Sequence, residues 1–240
     1  MLDYDHVRRQ PRKFLALTGL TPKEFKTLLP AFWQAYQRTY PDTKTRTGQP
    51  RQRRAGGGRP SALASMEQKL LFILVYQKTY PLQILLGQLF ELSQSRTNDW
   101  IHQLLPLLKA ALDDLGVLPE RDPGQFSQHE QQQGEAPDYT IDGTERRRQR
   151  PKNPEKQALH YSGKKKAHSD KNVVVAQTQT NRVAYLSQTY AGKIHDKKVA
   201  DIEAINYPPG SMLRKDTGFQ GYEPPGCYTE QPKKSRAGVN

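Results

Sequence analysis

The chain has one cysteine, Cys227, among 240 residues, only two tryptophans, and fewer acids than bases. A single thiol excludes an internal disulfide framework and suits a reducing compartment. No apolar run approaches the roughly 18 residues a membrane span requires, so no membrane partner is expected. The opening Met1-Leu2-Asp3-Tyr4-Asp5 is acidic and lacks the basic-then-apolar order of a secretion signal, which makes the cytoplasm the expected location. The shortage of acid leaves a large positive excess: 37 Lys and Arg against 24 Asp and Glu, a formal charge of +13. A surface this basic attracts polyanions, because each neutralised phosphate releases condensed counterions. Nucleic acid is therefore the default partner. The plain alternative is a basic, ribosome-associated protein without enzymatic activity.

The first half reads as helices. Thr21-Pro22-Lys23-Glu24 has the order of a capping box with proline in the first turn. Phe25, Leu28, Leu29, Phe32, Trp33 and Tyr36 follow at helical spacing, with Pro30 a kink. The run from Lys44 to Arg59 has no apolar periodicity and reads as a basic linker or arm. Ser65 then caps a helix with Leu70, Leu71, Leu74 and Val75 on one face, and Tyr80-Pro81 breaks it. Leu82, Leu85, Leu86, Leu89 and Phe90 form a second apolar stripe. After a turn at Leu92, Ser93 caps a third helix that turns Thr97, Trp100, Ile101, Leu104 and Leu105 inward and extends past Pro106. Helix, short helix, tight turn and longer helix is the plan of a helix-turn-helix, although any small three-helix bundle shares it.

From Gly116 to Pro137 the chain turns polar and glutamine-rich, which reads as a domain boundary. The period then becomes strand-like. Tyr139–Thr144, His160–His168, Val173–Thr178 and Val183–Ser187 read as strands, with a turn at Asp170-Lys171-Asn172. Asp196–Asn206 reads as a helix burying Val199, Ile202 and Ile205, and Ser211–Asp216 as a short strand. The expected class is α+β, an all-α part followed by a mixed part of strands and helix. The boundaries are 1–58 for the N-terminal helices and linker, 59–118 for the helix-turn-helix, and 138–240 for the mixed part.

Two aspartates, Asp142 and Asp216, stand where strands end. Metal-dependent phosphodiester chemistry needs carboxylates converging from different elements on about two Mg²⁺ ions roughly 4 Å apart. Strand ends provide this because the sheet holds the side chains in place. The competing explanation is that strand-end aspartates cap turns. Asp196 is by physics alone a helix N-cap. His160 and His168 lack a cysteine or acidic partner at zinc-like spacing and read as strand surface residues.

The ordered series Ile141-Asp142-Gly143-Thr144, Ser162-Gly163-Lys164-Lys165-Lys166-Ala167-His168, Gly192-Lys193-Ile194-His195-Asp196 and Lys215-Asp216-Thr217-Gly218-Phe219-Gln220-Gly221-Tyr222 resembles a known set of motifs. It is similar to DDE-superfamily transposases of bacterial insertion sequences, of the insertion-sequence-five type. The likeness covers most of the chain from about Arg59 onward. It implies a ribonuclease H-like nuclease domain behind a helix-turn-helix, with Asp142 and Asp216 as catalytic, metal-binding acids and Mg²⁺ or Mn²⁺ as cofactor. It also implies a third acid, a glutamate on a later helix. Glu223 and Glu230 are the only carboxylates after Asp216, and both sit among prolines and glycines. The expectation is thus a C-terminally truncated or first-frame product with an incomplete nuclease domain, a poor nuclease or none by itself, with an open edge and an uncovered apolar face.

The partners implied are double-stranded DNA, as terminal inverted repeats and as target, and a second polypeptide or frameshifted extension. A homodimer and a nucleoid-associated location in a bacterial cytoplasm are also implied. Gln94, Ser95, Arg96 and Asn98 lie off the apolar stripe and are the candidates to read base edges or hold phosphates. Arg53, Arg54 and Arg59 suit a minor-groove arm. Arg146, Arg147, Lys164, Lys165 and Lys166 suit phosphate contact beside the acids. The alternative function is a non-enzymatic DNA-binding remnant or regulator of transposition. An RNA nuclease of the same fold is disfavoured by the helix-turn-helix.

Overall fold

The computed structural model describes residues 2–43, 49–50, 52, 61–133 and 138–232. The chain divides into two compact units, residues 1–117 and 118–240.

The first unit is helical: α1 (Tyr4–Val7), α2 (Pro11–Thr18), α3 (Pro22–Thr39), α4 (Met66–Thr79), α5 (Gln83–Phe90) and α6 (Gln94–Asp114). The capping box closes as expected, with Glu24 N donating to Thr21 Oγ1 and Thr21 N to Glu24 Oε2 at 2.7 Å. Both α3 and α6 run on through their prolines, Pro30 and Pro106. One apolar core spans α1 to α6, joining Phe14, Phe25 and Phe32 to Leu70, Phe72, Leu86, Phe90, Ile101 and Leu104. The N-terminal helices and the helix-turn-helix region, divided at 58/59 by the sequence reading, therefore share one interior. Helix α4 lies at its centre: Gln68 through Val75 are all buried, so it has no solvent face over those residues.

The turn between α5 and α6 is tight. Glu91 takes a left-handed conformation (φ 55°), and Ser93 Oγ accepts from Arg96 N at 3.3 Å. A Cβ on Gly87 would lie 2.6 Å from Leu92 O and 2.9 Å from Thr97 Oγ1, so the backbone of α5 meets the turn where only glycine fits. The expected stripe on α5 is half buried: Leu86 and Phe90 are inside, while Leu82, Leu85 and Leu89 are exposed. Eight residues of helix offer one short contact line, and Leu86, Gly87 and Phe90 occupy it.

The second unit contains α7 (Phe126–Gln133), β1 (Asp138–Arg147), α8 (Pro154–His160), β2 (Tyr161–Ser162), β3 (Ala167–Gln177), β4 (Val183–Leu186), β5 (Tyr190–Ala191), α9 (Asp196–Glu203), β6 (Met212–Lys215) and β7 (Tyr228–Glu230). The sheet order is β2-β3-β1-β6-β7, with β4 and β5 also on β3. Strand β3 is antiparallel to β1, whereas β1, β6 and β7 run parallel. Phe126, Tyr139, Ile141, Val173, Val175, Tyr185, Val199 and Leu213 form its core.

Four sequence expectations change here. The polar stretch 116–137 contains a core helix, α7, with Phe126 and Glu130 buried; Glu130 is tolerated inside because Arg182 pairs with both its oxygens at 2.8 and 2.9 Å. His160 ends α8 and lies 2.9 Å from Asp170, rather than starting a strand. Strand β3 runs unbroken through Asp170-Lys171-Asn172 because the Lys171 and Asn172 side chains find partners inside. Ile202, expected inside, is exposed. The outward face of β1 carries the polar residues Thr140, Asp142 and Thr144, with Arg214 beside Thr140 on β6.

Candidate active site

Parallel pairing of β1 with β6 matches Thr140 to Arg214 and Ile141 to Lys215. The next residue of each strand line is an aspartate, Asp142 on β1 and Asp216 just past β6, the latter still extended (φ −79°, ψ 179°). Ile141 and Lys215 point inward, at 1% and 4% exposure, so alternation sends both carboxylates to the opposite face. Adjacent strands lie about 4.8 Å apart, which places the two aspartates side by side. Both line a cavity of about 640 Å³ with Thr140, Arg214, Glu230 and Gln231.

Local hydrogen bonds hold each acid. Asp142 Oδ1 accepts from Gly143 N at 2.7 Å, and Asp216 Oδ1 accepts from Gly218 N at 2.9 Å, opening a short 3-10 turn at Thr217–Phe219. Gln231 donates to the Asp216 carbonyl oxygen at 2.6 Å. The inward Lys215 is satisfied by Tyr222 O and Glu223 Oε1, each at 2.5 Å. Arg214, two residues before Asp216, is occupied by Asp138 at 2.5 Å and Glu230 at 3.1 Å. Glu230, set aside in the sequence as lacking a helical context, thus stands on β7 at the rim of the cavity, tied to Arg214.

Asp142 and Asp216 are exposed and retain spare lone pairs, an all-oxygen donor set suited to a hard divalent cation. Mg²⁺ is commonly bound through one or two carboxylates, with water and substrate phosphate filling the other positions; the pair fits that pattern. Among the described residues no group of three or more His, Cys, Asp or Glu side chains converges as a metal cage.

Beneath this pair lies a buried ionic group. Lys171 is 5% exposed, and its Nζ reaches Ile194 O at 2.7 Å, Asp196 Oδ1 at 2.9 Å and Glu145 Oε1 at 3.4 Å. Ser169 Oγ donates to Glu145 Oε2 at 2.9 Å. Burial pushes the Glu145 carboxyl up, but hydrogen bonds from Ser162 and Ser169 and the Lys171 charge outweigh it and hold it below the usual range. Asp196 is not a cap: His195 holds the N-cap position, and Asp196 is the first residue of α9 with its carboxylate turned to Lys171.

The expected DNA contacts fall in three places. Gln94, Ser95 and Arg96 are exposed on the first turn of α6, while Asn98 is half-buried and accepts from Gln83 at 3.3 Å. Arg146 and Arg147 end β1, and Lys164, Lys165 and Lys166 form the exposed turn leading into β3. The β1–β3 register, Arg147 opposite Ser169, places both groups at one end of that ladder. Arg147 lies five residues along the strand from Asp142, about 16 Å away. Arg146 is held by Asn172 Oδ1 at 2.8 Å. Arg53, Arg54 and Arg59 lie outside the described residues.

Comparison with known families supplies the class. Residues 141–238 match the family described as DDE superfamily endonuclease. Residues 61–114 match the helix-turn-helix of DDE superfamily endonuclease. The first match contains both aspartates; the second covers α4 to α6. Together they support a transposase-type pairing of a DNA-binding helix-turn-helix with a DDE endonuclease domain. No curated protein and no solved structure matches the chain.

Proposed function

We propose that this chain is a transposase of an insertion sequence of the insertion-sequence-five type, binding the element's terminal inverted repeats through α4–α6. Its nuclease site is built on Asp142 and Asp216. The placement of these two aspartates at successive register on adjacent parallel strands, opening into one cavity, carries the reading. The sheet order, with β3 antiparallel and β1, β6 and β7 parallel, is in keeping with a ribonuclease H-like domain.

In this reading Asp142 and Asp216 hold Mg²⁺ or Mn²⁺, which would activate the attacking oxygen and offset charge on the leaving one. The chain's own part is positional. The sheet fixes the two carboxylates, the Gly143 and Gly218 amides orient one oxygen of each, and the polar sheet face receives the phosphate. Arg146, Arg147 and Lys164–Lys166 then contact the backbone of the same duplex away from the scissile bond. On α6, Gln94, Ser95 and Arg96 are presented for groove or phosphate contact, and Asn98 reads bases only after releasing Gln83.

The incomplete site remains part of the proposal. Glu230 is the third carboxylate lining the cavity, and Arg214 occupies it, so strand cleavage is expected to require a further acid from a second polypeptide or an extension. This observation also favours the second reading, a DNA-binding regulator. The test is a duplex carrying the element's ends, incubated with the purified chain and Mg²⁺. Specific binding without cleavage supports the incomplete transposase. Cleavage lost in Asp142→Ala shows a site complete in this chain. Equal affinity for element ends and random DNA removes the terminal-repeat claim.

A further inference from the structure

Gly143 and Gly218 each follow a metal-site aspartate closely, and neither has a positive φ that would demand glycine. At Gly143 the space for a side chain is already taken, and at Gly218 Asp196 comes within ordinary van der Waals reach. A Cβ on Gly143 would meet Asp196 Oδ1 at 2.6 Å and Oδ2 at 3.1 Å; one on Gly218 would meet Asp216 Oδ1 at 3.0 Å and Asp196 Oδ2 at 3.4 Å. One carboxylate therefore touches the backbone just after Asp142 and the turn just after Asp216. It is held from behind by Lys171 at 2.9 Å, which Glu145 and Ile194 O anchor in turn. Asp196 Oδ1 is buried and makes no hydrogen bond of good geometry. Hydrogen bonding at that oxygen does not account for the placement, whereas the ion pair and the two glycines do.

We infer that Asp196 is a positioning residue: its carboxylate is a wedge between β1 and the β6 turn that sets the separation of Asp142 and Asp216. The inference rests on the metal-site reading above. Its weight lies on shape, because Asp196 enters on the side of the sheet where Gly143 faces, opposite the face to which Asp142 projects. A group there supports ligands without being one. Groups that support metal ligands in this way change metal affinity when altered, while the fold persists.

The test is Mn²⁺ binding to the full purified chain without DNA, measured by electron paramagnetic resonance, with a thermal melt on every sample. Asp196→Asn keeps the shape of the wedge and is expected to bind close to wild type. Asp196→Glu keeps the charge for Lys171 but moves the carboxylate by a methylene, and is expected to weaken binding roughly 10- to 100-fold while remaining folded. Asp196→Ala should weaken it similarly, and if that variant does not fold, the Asn and Glu pair decides alone. Asp142→Ala should abolish binding. Unchanged affinity in Asp196→Glu, with Asp142→Ala dead, overturns the wedge and leaves the metal site standing. Loss as complete in Asp196→Asn as in Asp142→Ala would make Asp196 a ligand and also overturn it. No Mn²⁺ binding by wild type, or binding indifferent to Asp142→Ala, overturns the metal site and the wedge together.

Discussion

The helical unit buries hydrocarbon and the sheet unit buries charge. Among the described residues between 1 and 117 the buried polar side chains are Thr18, Gln68, Lys69 and Thr97. Only Lys69 carries a charge, and it rests on the carbonyls of Leu63 and Ala64 at 2.7 and 3.0 Å. The sheet unit places Glu130, Lys171, Glu203 and Lys215 inside, along with serines, Asn172 and Gln177. Glu130, Lys171 and Glu203 meet partners distant in sequence, as Glu130 meets Arg182, 52 residues on, while Lys215 meets Tyr222 O and Glu223 nearby. Apolar packing tolerates exchange of one side chain for another of similar volume. A buried ion that loses its partner has no such tolerance. The unit with the acids thus gains defined positions at the expense of tolerance.

This contrast can be tested in one molecule, because both tryptophans, Trp33 and Trp100, fall in the helical unit. Tryptophan fluorescence reports that unit, and strand circular dichroism with tyrosine signals reports chiefly the other. The largest effect is expected from Lys171→Met, which leaves Glu145 and Asp196 buried without their cation. It should cost the sheet unit about 3–5 kcal/mol in denaturant titration, with the fluorescence transition unmoved. A shift of the tryptophan midpoint by the same amount would mean that the units do not unfold separately.

Alkali should act next, and on the same side. Burial, with hydrogen bonding to Glu203, pushes the Tyr190 hydroxyl up to about 12, and Tyr185 is raised by the same causes in the same order. Burial also pushes Tyr222 up to about 12. A raised folded pKa means that the unfolded chain gives up its protons first, so this stability is present below the ordinary value of 10.0 and is lost as pH climbs through about 12. The sheet unit should therefore melt before the tryptophan signal changes. In the helical unit the rise acts with opposing signs, because burial lowers the Lys69 pKa but raises those of Tyr4 and Tyr76. At the acid end the sign reverses for Glu145: its contribution, complete above the ordinary carboxyl value, disappears as pH falls through its lowered folded value.

Gly87→Ala tests the helical unit in return. Its Cβ would collide with backbone at Leu92, 2.6 Å away, and overpacking of this kind costs about 1–3 kcal/mol. Fluorescence should record that loss, and DNA affinity should fall with it while Mn²⁺ binding is kept. The smallest stability effect belongs to Arg96→Ala, since an exposed pair with Asp99 at 3.7 Å contributes about 0–1 kcal/mol. Its effect should appear in gel shifts, as a larger loss of binding to element ends than to random DNA. Equal loss on both would leave Arg96 a phosphate contact.

What could be read in the sequence follows the same division. The Thr21–Glu24 box, the Ser93 cap and the α6 stripe are local, and a few neighbouring residues specify each. Asp142 and Asp216 stand out in the sequence through their glycine contexts, and in the structure Asp196 lies against both glycines. That residue was misjudged, because an aspartate at a helix start is normally a cap and nothing nearby in the chain shows Lys171 waiting for it. Asp170-Lys171-Asn172 has turn composition, yet ion pairs and amide bonds from distant strands keep it extended. The α7 segment reads as polar filler until Arg182 comes to Glu130. On α5 the pattern was visible, but nothing in the sequence distinguished Leu86 from its exposed neighbours.

The parallel pairing of β1 with β6 also sets an order of events during synthesis. Arg214 bonds Asp138 across 76 residues of chain, and the two acids are separated by nearly as many. At about 5–20 residues per second, a ribosome takes roughly 4–15 seconds to make that interval. Every helix of the first unit precedes β1 in the chain, so all of them have been made before β1 emerges. A nascent chain can therefore hold a finished DNA-binding unit for seconds before its two carboxylates first meet.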